Sequence, residues 1–489
     1  MFIIMVVLFL LGYLAIALEH PLKIEKAASA LLLGSILWAL YALFSEQVLA
    51  LGFSPSWAEM KMMAHEIVND IVPVMNPDHY ATSPFRETVE ISDHANAFVR
   101  EELAHHLVDI AEILFFLFGA MTIVEVVDQH QGFKVITDRI NTKSKVRLLW
   151  VLGFITFFMS AVLDNLTTTI VMIALLRKLI ADKPTRWLFA SMIVLAANAG
   201  GAWSPIGDVT TIMLWIGGQI TTVNIIVKVI LPSLVNMIVP LAILSFMVSG
   251  EIRRPDASCQ TADITTPFEK GFMLILGVSM LLFVPVFKTI THLPPYVGML
   301  FGLGVLWMVS EIMHRNKEEE LKKKLTIYNI VKKVDTPTIF FFLGILSAVA
   351  ALQSAGHLSL LAGWLDEKLG DIYLINLAIG AISAVVDNVP LVAGAMGMYD
   401  VVTPDMLRMA ADPAYASFFV QDGLFWEFLA YCAGTGGSML IIGSAAGVAA
   451  MGLERIDFIW YMKKISWLAL VGYLAGAAVY WAQAQILHY

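Results

Sequence analysis

The chain has 489 residues, of which 58% are hydrophobic and 15% are charged, and its mean hydropathy is +0.77. Soluble domains carry about 25% charged residues, so this composition excludes a soluble enzyme built from ordinary domains. The formal net charge of −9 argues against nucleic acid as a partner. Because about 20 apolar residues cross a bilayer once, we predict an all-α polytopic membrane protein. Two cysteines, Cys259 and Cys432, are too few for a disulfide framework.

Ten apolar runs are predicted to be single crossings of the membrane. They are 1–18, 27–45, 107–127, 187–216, 225–249, 268–288, 296–313, 336–355, 424–452 and 465–488. The first run could instead be a cleaved signal peptide, but it lacks a basic N-terminal region and a clean small-residue cleavage site. We therefore expect it to be retained. The long polar segment 46–106 is predicted to be an external insertion.

Two further apolar runs, 148–176 and 372–398, are predicted to be re-entrant hairpins. Basic residues flank the first run at both ends, which favours the cytoplasmic side, and mainly acidic residues flank the second, which favours the outside. Each run has an Asp-Asn pair near its middle that suits a hairpin tip. This topology assigns 24 of the 31 Lys and Arg residues to cytoplasmic segments. It also puts both chain termini outside.

The two hairpins carry an internal sequence repeat. SAVLDN at 160–165 recurs as SAVVDN at 383–388. Further along, NAGGAWSPIGD at 198–208 lines up with GTGGSMLIIGS at 434–444. Glycines, and a proline in the first copy, make a break in the helix plausible at both later segments.

The order of the segments predicts two copies of one structural unit. The first repeat covers 1–250, the second covers 268–489, and a cytoplasmic linker at 251–267 joins them. Because the hairpins have opposite charge flanks, we predict that the copies are inverted across the membrane. Inverted repeats with interrupted helices are typical of secondary transporters. Two hairpin tips and the breaks in 187–216 and 424–452 would then converge on one site.

Three aspartates, Asp164, Asp208 and Asp387, lie inside apolar segments, where an ionisable side chain is a functional hypothesis by default. Asp387 could also be only a structural echo of the repeat. The polar residues expected to complete the site are Ser160, Asn165, Thr168, Asn198, Thr210, Thr211, Ser383, Asn388, Thr435, Ser438 and Ser444. Such oxygen-rich side chains are ligands for a hard cation. Removal from water favours a protonated carboxylate and a bound cation favours a charged one, so one site could exchange protons for a cation.

Other ionisable residues have weaker functional interpretations. Glu112 and Glu125 lie in the predicted crossing 107–127 and could carry protons. His105, His106 and Asp109 have a spacing loosely compatible with a metal, but they fall at a predicted membrane boundary. We expect them to mark the start of a helix at the membrane interface.

Several long motifs resemble the NhaD-type sodium/proton antiporters of the ion transporter superfamily. They are HHLVDIAEILFFLFGAMTIVEVVD at 105–128, SAVLDNLTTTIVMIALLRKL at 160–179, NAGGAWSPIGDVTTIMLW at 198–215 and SAVVDNVPLVAGAMGMY at 383–399. The resemblance covers most of the chain from about residue 100 onward. The first 100 residues match less clearly.

This resemblance implies exchange of Na⁺ and Li⁺ for H⁺, with no cofactor. It also implies a homodimer in which a transport domain moves like an elevator against a scaffold domain. We place the Na⁺ site at Asp164, Asn165, Asp208 and Asn388. A bacterial inner membrane suits the charge pattern, although an organelle membrane would suit it as well.

Three alternatives remain open at this point. An anion or dicarboxylate carrier of the same superfamily, or an arsenite carrier, would share the fold, but its hairpin tips would lack acids. An intramembrane aspartyl protease would pair Gly207-Asp208 with Tyr399-Asp400, but Pro205 stands where its motif needs glycine. A passive channel is the third. No HExxH, P-loop or CxxC motif occurs, so we expect no enzyme and no ATP-driven transport.

Overall fold

The computed structural model describes residues 1–17, 19–61, 91–137, 140, 142–252 and 265–487. Within these ranges the regular structure is helical, with no β-strand. Eight of the described helices are long enough and apolar enough to cross a membrane. The prediction of an all-α polytopic membrane protein is therefore confirmed. Parts of the predicted insertion 46–106 and of the linker 251–267 lie outside the described residues.

The helices follow the predicted order. Before the linker they are Phe2–Ala17, Glu19–Leu22, Lys26–Leu43, Ser45–Leu49, Ile91–Gln129, Lys134–Thr137, Lys145–Leu163, Asn165–Leu179, Lys183–Ala202, Val209–Ile216 and Thr222–Met247. After it they are Pro267–Thr291, Pro295–Met313, Glu319–Leu325, Ile327–Val331, Thr336–Ser354, His357–Lys368, Ile372–Ile382, Asn388–Met398, Pro404–Met409, Pro413–Ala416, Leu424–Gly436, Ala445–Glu454, Phe458–Lys464 and Ser466–Leu487.

Both predicted breaks are present. The crossing expected at 187–216 consists of Lys183–Ala202 and Val209–Ile216, and we call it the first broken helix. The crossing expected at 424–452 consists of Leu424–Gly436 and Ala445–Glu454, the second broken helix. Each break leaves backbone N–H and C=O groups without helical partners, and these need side-chain or ion partners at membrane depth.

The first hairpin turns sharply at Asp164, between Lys145–Leu163 and Asn165–Leu179. Asp164 has φ 75° and ψ 158°, a backbone conformation that costs free energy for any residue except glycine. The first arm has 19 residues, or about 28 Å of helix. It begins at Lys145, earlier than the predicted run 148–176.

Both ends of the first hairpin return to the start of the first broken helix. Lys145 Nζ lies 3.5 Å from Thr185 Oγ1. Arg177, at the end of the second arm, and Arg186 both pair with Glu454, at 2.7 and 2.9 Å. The segment thus folds back on itself as a hairpin, and it opens where the second broken helix ends. Its re-entry into the membrane stays a prediction.

The second hairpin, Ile372–Ile382 and Asn388–Met398, opens in the opposite direction. Asn376 in its first arm donates to the Phe425 carbonyl oxygen at 3.2 Å, near the start of the second broken helix. Asp422, just before that start, accepts from Thr221 N–H and Oγ1 at 2.6 and 2.7 Å, just after the first broken helix ends. An inverted repeat requires this arrangement. The orientation of each copy in the membrane stays a prediction.

Each hairpin packs against a glycine of the broken helix in its own repeat. A Cβ at Gly200 would lie less than 3.0 Å from the carbonyl oxygen of Phe157, and a Cβ at Gly436 less than 3.0 Å from that of Gly380. Glycine, which has no Cβ, permits this approach of two backbones. The same contact made twice supports the internal repeat.

The chain divides into two compact units that cut across the repeats. The first unit comprises Met1–Ala111, Thr336–Gly370 and Ala393–Asp400. The second comprises Glu112–Asp335, Asp371–Val392 and Val401–Tyr489. Each unit thus takes segments from both predicted repeats.

In the first unit, Lys26–Leu43 crosses Thr336–Ser354 closely. A Cβ at Gly34 would lie 2.6 Å from the Gly344 carbonyl oxygen, and Trp38 Nε1 donates to the Ser347 carbonyl oxygen at 2.8 Å. Small residues at a crossing let membrane helices pack backbone against backbone.

Two buried histidines meet in the second unit, just beyond the ends of two membrane helices. His130 Nε2 lies 2.7 Å from His314 Nε2. His130 Nδ1 faces the Val126 carbonyl oxygen at 2.6 Å, so Nδ1 carries a proton and Nε2 accepts one from His314. His314 Nδ1 is then left buried without a hydrogen-bond partner among the described residues. Burial lowers the pKa of both rings, and with His130 and the Lys317 ammonium nearby the pKa of His314 is about 4.

The close packing at Gly436 predicts a large cost for Gly436→Ala. The new methyl group would collide with backbone, and overpacking of this kind costs about 1–3 kcal/mol or more. The melting temperature of the purified protein in detergent should fall. Gly304→Ala is the matched control, because nothing lies within 4 Å of a Cβ there. An equal melting temperature for both variants would contradict the packing described.

The histidine pair predicts a loss of stability at acid pH. Since the pKa of His314 is lowered from 6.5 to about 4, its contribution is present above pH 6.5 and is lost as the pH falls towards 4. The melting temperature should therefore fall over this range less steeply for His314→Gln than for the wild type. His105→Gln, at an exposed histidine, serves as the control. Parallel pH profiles for all three proteins would refute the assignment.

Candidate ion-binding site

Asp208 is the buried carboxylate at which both hairpin tips meet the first broken helix. It is 1% exposed and caps Val209–Ile216, where Oδ1 accepts from the N–H and hydroxyl of Thr210 at 2.9 and 2.8 Å. Asn165, at the first tip, donates to Oδ2 at 2.6 Å. Asn388, at the second tip, lies 3.5 Å from both carboxylate oxygens. These predicted site residues therefore converge.

Asn198 joins this group to the second broken helix. Its Oδ1 accepts from Asn165 at 3.1 Å. Its Nδ2 donates to the hydroxyls of Ser438 and Ser444, both at 2.9 Å. Asn198 is fully buried, so these bonds are made away from water. Both hairpin tips and both breaks thus contribute to one hydrogen-bonded cluster.

Ser160 and Ser383, which match in the repeat, have the same role in the two copies. Ser160 Oγ donates to the Ala197 carbonyl oxygen at 2.6 Å. Ser383 Oγ donates to the Ala433 carbonyl oxygen at 3.0 Å. Each acceptor lies within the last two turns of the helix that precedes a break. The serines therefore fasten each hairpin to its broken helix.

Asp164 has a different environment from its neighbour Asn165. Its carboxylate accepts from the N–H and hydroxyl of Thr167 at 2.8 and 2.7 Å, within its own hairpin arm. It also lines a largely apolar cavity together with Phe116, Leu281 and Met299. The two adjacent residues at the tip thus have different surroundings. Asn165 contacts Asp208, and Asp164 lines the cavity.

The remaining predicted residues lie near the site with separate contacts. Asp387 is partly exposed, and its Oδ1 lies 3.4 Å from the N–H of Val389. Thr435 Oγ1 donates to the Tyr431 carbonyl oxygen at 2.6 Å within its own helix. Thr168 and Thr211 have buried hydroxyls that bond to no described residue. These two hydroxyls are available as ligands.

Sequence reasoning missed a further buried ionisable group within the predicted crossings. Glu427 is fully buried and pairs with Lys228 at 3.1 Å, while Tyr480 donates to it at 2.8 Å. Both charged residues lie in predicted crossings, so a charge inside an apolar run was a signal in the sequence. The pairing of Lys228 with Glu427 could not be predicted, because 199 residues separate the two partners in the chain.

The three residues with loose metal spacing do lie together. The ligand atoms of His105, His106 and Asp109 are within 4.8 Å of one another. His105 and Asp109 are largely exposed and 3.6 Å apart, as expected for an i, i+4 pair on a helix surface.

The site can hold either a proton or a hard cation at its centre. A charged carboxylate that is shielded from water requires several donors or a cation, and two amides and a hydroxyl surround Asp208. Their oxygen atoms can turn towards a bound cation, whereas an incoming carboxylate would meet the charge of Asp208.

The cluster predicts that Asn198→Ala destabilises the protein. The substitution leaves Asn165, Ser438 and Ser444 without their shared partner, and each buried unsatisfied group costs about 1–3 kcal/mol. The melting temperature should fall clearly. For Asn329→Ala, which removes an exposed amide, it should stay within a degree or two, about the effect of a surface change. Equal effects would mean that Asn198 does not hold the site together.

The chain matches a known family model over most of its length. The model, CitMHS, is described as a citrate transporter and matches residues 1–420. Among curated proteins, the chain is 49% identical to sodium/proton antiporter 1 of Arabidopsis thaliana over 383 residues, covering 78% of this chain and 63% of the relative. The match thus spans less than two thirds of that relative.

Two further relatives are covered more completely. Sodium/proton antiporter 2 of Arabidopsis thaliana is 46% identical, with 78% of this chain and 87% of the relative aligned. The Na⁺/H⁺ antiporter NhaD of Alkalimonas amylolytica is 32% identical, with 78% and 80% aligned. These matches confirm the resemblance inferred from the motifs. The chain therefore belongs to the CitMHS family and, within it, to the NhaD-type sodium/proton antiporters.

Proposed function

We propose that this protein exchanges Na⁺, and also Li⁺, for H⁺ across a membrane. The observation that carries the proposal is the buried carboxylate of Asp208 between the amides of Asn165 and Asn388. One carboxylate can bind a proton or a cation in turn, and competition between them couples the two fluxes. The names of the aligned relatives support the same exchange.

In this proposal the ion is substrate, and the protein supplies its oxygen ligands. Asp208 binds Na⁺, while Asn165 and Asn388 turn their amide oxygens towards it. The hydroxyls of Thr168 and Thr211 complete the shell. Asp164, beside the apolar cavity, binds a proton or a cation on its way to Asp208.

Carriage of an organic anion is the second candidate, because the family model is described as a citrate transporter. A dicarboxylate needs amide and hydroxyl donors that are free to bind it. Here Asn165 already donates the shorter of the two amide hydrogen bonds to the Asp208 carboxylate, at 2.6 Å. The negative charge of Asp208 would also repel a carboxylate of the substrate strongly at low dielectric. The cation is therefore the better fit.

Movement of the site is proposed to follow an elevator mechanism. The residues of the hydrogen-bonded cluster all belong to the second compact unit, as a moving transport domain would require. The protein acts as a homodimer, with both termini outside and Na⁺ leaving the cytoplasm as H⁺ enters. We place it in a bacterial inner membrane, with an organelle membrane as the alternative.

The direct test is proton flux in proteoliposomes that carry an imposed pH gradient. Na⁺ and Li⁺ should dissipate the gradient, and K⁺, succinate and citrate should not. Asp208→Asn and Asp164→Asn should reduce the Na⁺ response at least a hundredfold, because neither amide can exchange a proton for a cation. Asp405→Asn, at an exposed aspartate, should behave as the wild type. A response to citrate but not to Na⁺ would establish the second candidate.

A further inference from the structure

The short helix Val209–Ile216 has one end at the ion site and the other end at a lysine. Asp208 caps its N-terminus, and Lys288 Nζ donates to the carbonyl oxygen of Trp215 in its last turn at 2.6 Å. The same ammonium lies 4.4 Å from the centre of the Trp215 ring. The aligned peptide dipoles make a helix N-terminus positive and a C-terminus negative. Lys288 at one end and Asp208 at the other end therefore interact electrostatically with the same helix.

We propose that Lys288 is a positioning residue that sets the Na⁺ affinity of Asp208 from the far end of this helix. The proposal rests on the sodium/proton exchange proposed above. The lysine fixes the last turn through its hydrogen bond, and its positive charge opposes a second positive charge at Asp208. An affinity kept moderate in this way lets the ion leave the site again.

The second broken helix repeats the arrangement with one informative difference. Its short helix, Ala445–Glu454, begins at Ser444 in the ion site. At its far end Arg177 donates to the Leu453 carbonyl oxygen, and Trp187 Nε1 donates to that of Glu454 at 3.0 Å. There the Glu454 carboxylate lies against the cations, whereas VTTIMLWI in Val209–Ile216 contains no acidic residue.

Glu112 is the acidic residue that acts on Lys288 from a neighbouring helix. It lies in Ile91–Gln129 and belongs to the same compact unit as Lys288. Removal of either partner changes the charge at the far end of the short helix, in opposite directions. Substitutions of Lys288 and of Glu112 should therefore change the Na⁺ affinity in opposite directions.

The expected size follows from Coulomb's law. Eight residues of helix span about 12 Å, and at an effective dielectric constant of ~20 two unit charges at that distance change an equilibrium constant about tenfold. Loss of the lysine charge should tighten Na⁺ binding. Loss of a purely structural contact could weaken transport, but it would not tighten binding.

The experiment measures the apparent Na⁺ KM of the full chain in proteoliposomes at several near-neutral pH values, where the lysine keeps its charge, and extrapolates it to zero competition from protons. Lys288→Met should lower KM about tenfold, and Lys288→Arg should keep it near the wild-type value. Glu112→Gln should raise KM, and the double variant should return towards the wild type. Lys332→Met, at an exposed lysine, controls for net charge.

The outcomes separate this inference from the proposed function. No Na⁺-dependent flux in the wild type would overturn the proposed function and this inference with it. Wild-type exchange with a Lys288→Met KM that is unchanged or raised would overturn the inference alone. If Lys288→Met does not fold, Glu112→Gln decides, since an unchanged or lowered KM in that variant contradicts the electrostatic link.

Discussion

The structure depends on the need to keep a carboxylate shielded from water inside a membrane protein. Such a charge is stable only with several donors or a bound cation beside it. Continuous helices cannot supply those donors, because their own backbone hydrogen bonds use the N–H groups. The breaks and hairpin tips around Asp208 solve this problem by bringing free polar groups to one point.

The two copies of the repeat share their packing, and the residues that differ between them form the ion site. Ser160 and Ser383 fasten both hairpins in the same way. Yet Asp208 matches Ser444 and Asn198 matches Gly434, so the first copy provides the charge and the central amide. The second copy contributes Asn388 and two serine hydroxyls. A symmetric scaffold thus holds an asymmetric site, in which one carboxylate can serve one ion at a time.

Much of this arrangement could be predicted from sequence, because charge flanks and a repeated motif are direct signals of topology. These signals predicted both hairpins, both helix breaks and the convergence of Asn165, Asn198 and Asp208. The direction of Asp164 could not be predicted, since it depends on a backbone angle at the tip. The contacts of Lys228 and Lys288 could not be predicted either, because their partners are distant in the chain. The division into two units also depends on packing that no local pattern encodes.

The most direct measurement is equilibrium binding of radiolabelled Na⁺ to the purified protein, with simultaneous measurement of released protons. If Asp208 is the shared site, Na⁺ binding to the wild type should release protons, and Asp208→Asn should abolish both binding and release. Na⁺ binding that persists in Asp208→Asn with its proton release intact would contradict the account, and would move the site to another carboxylate.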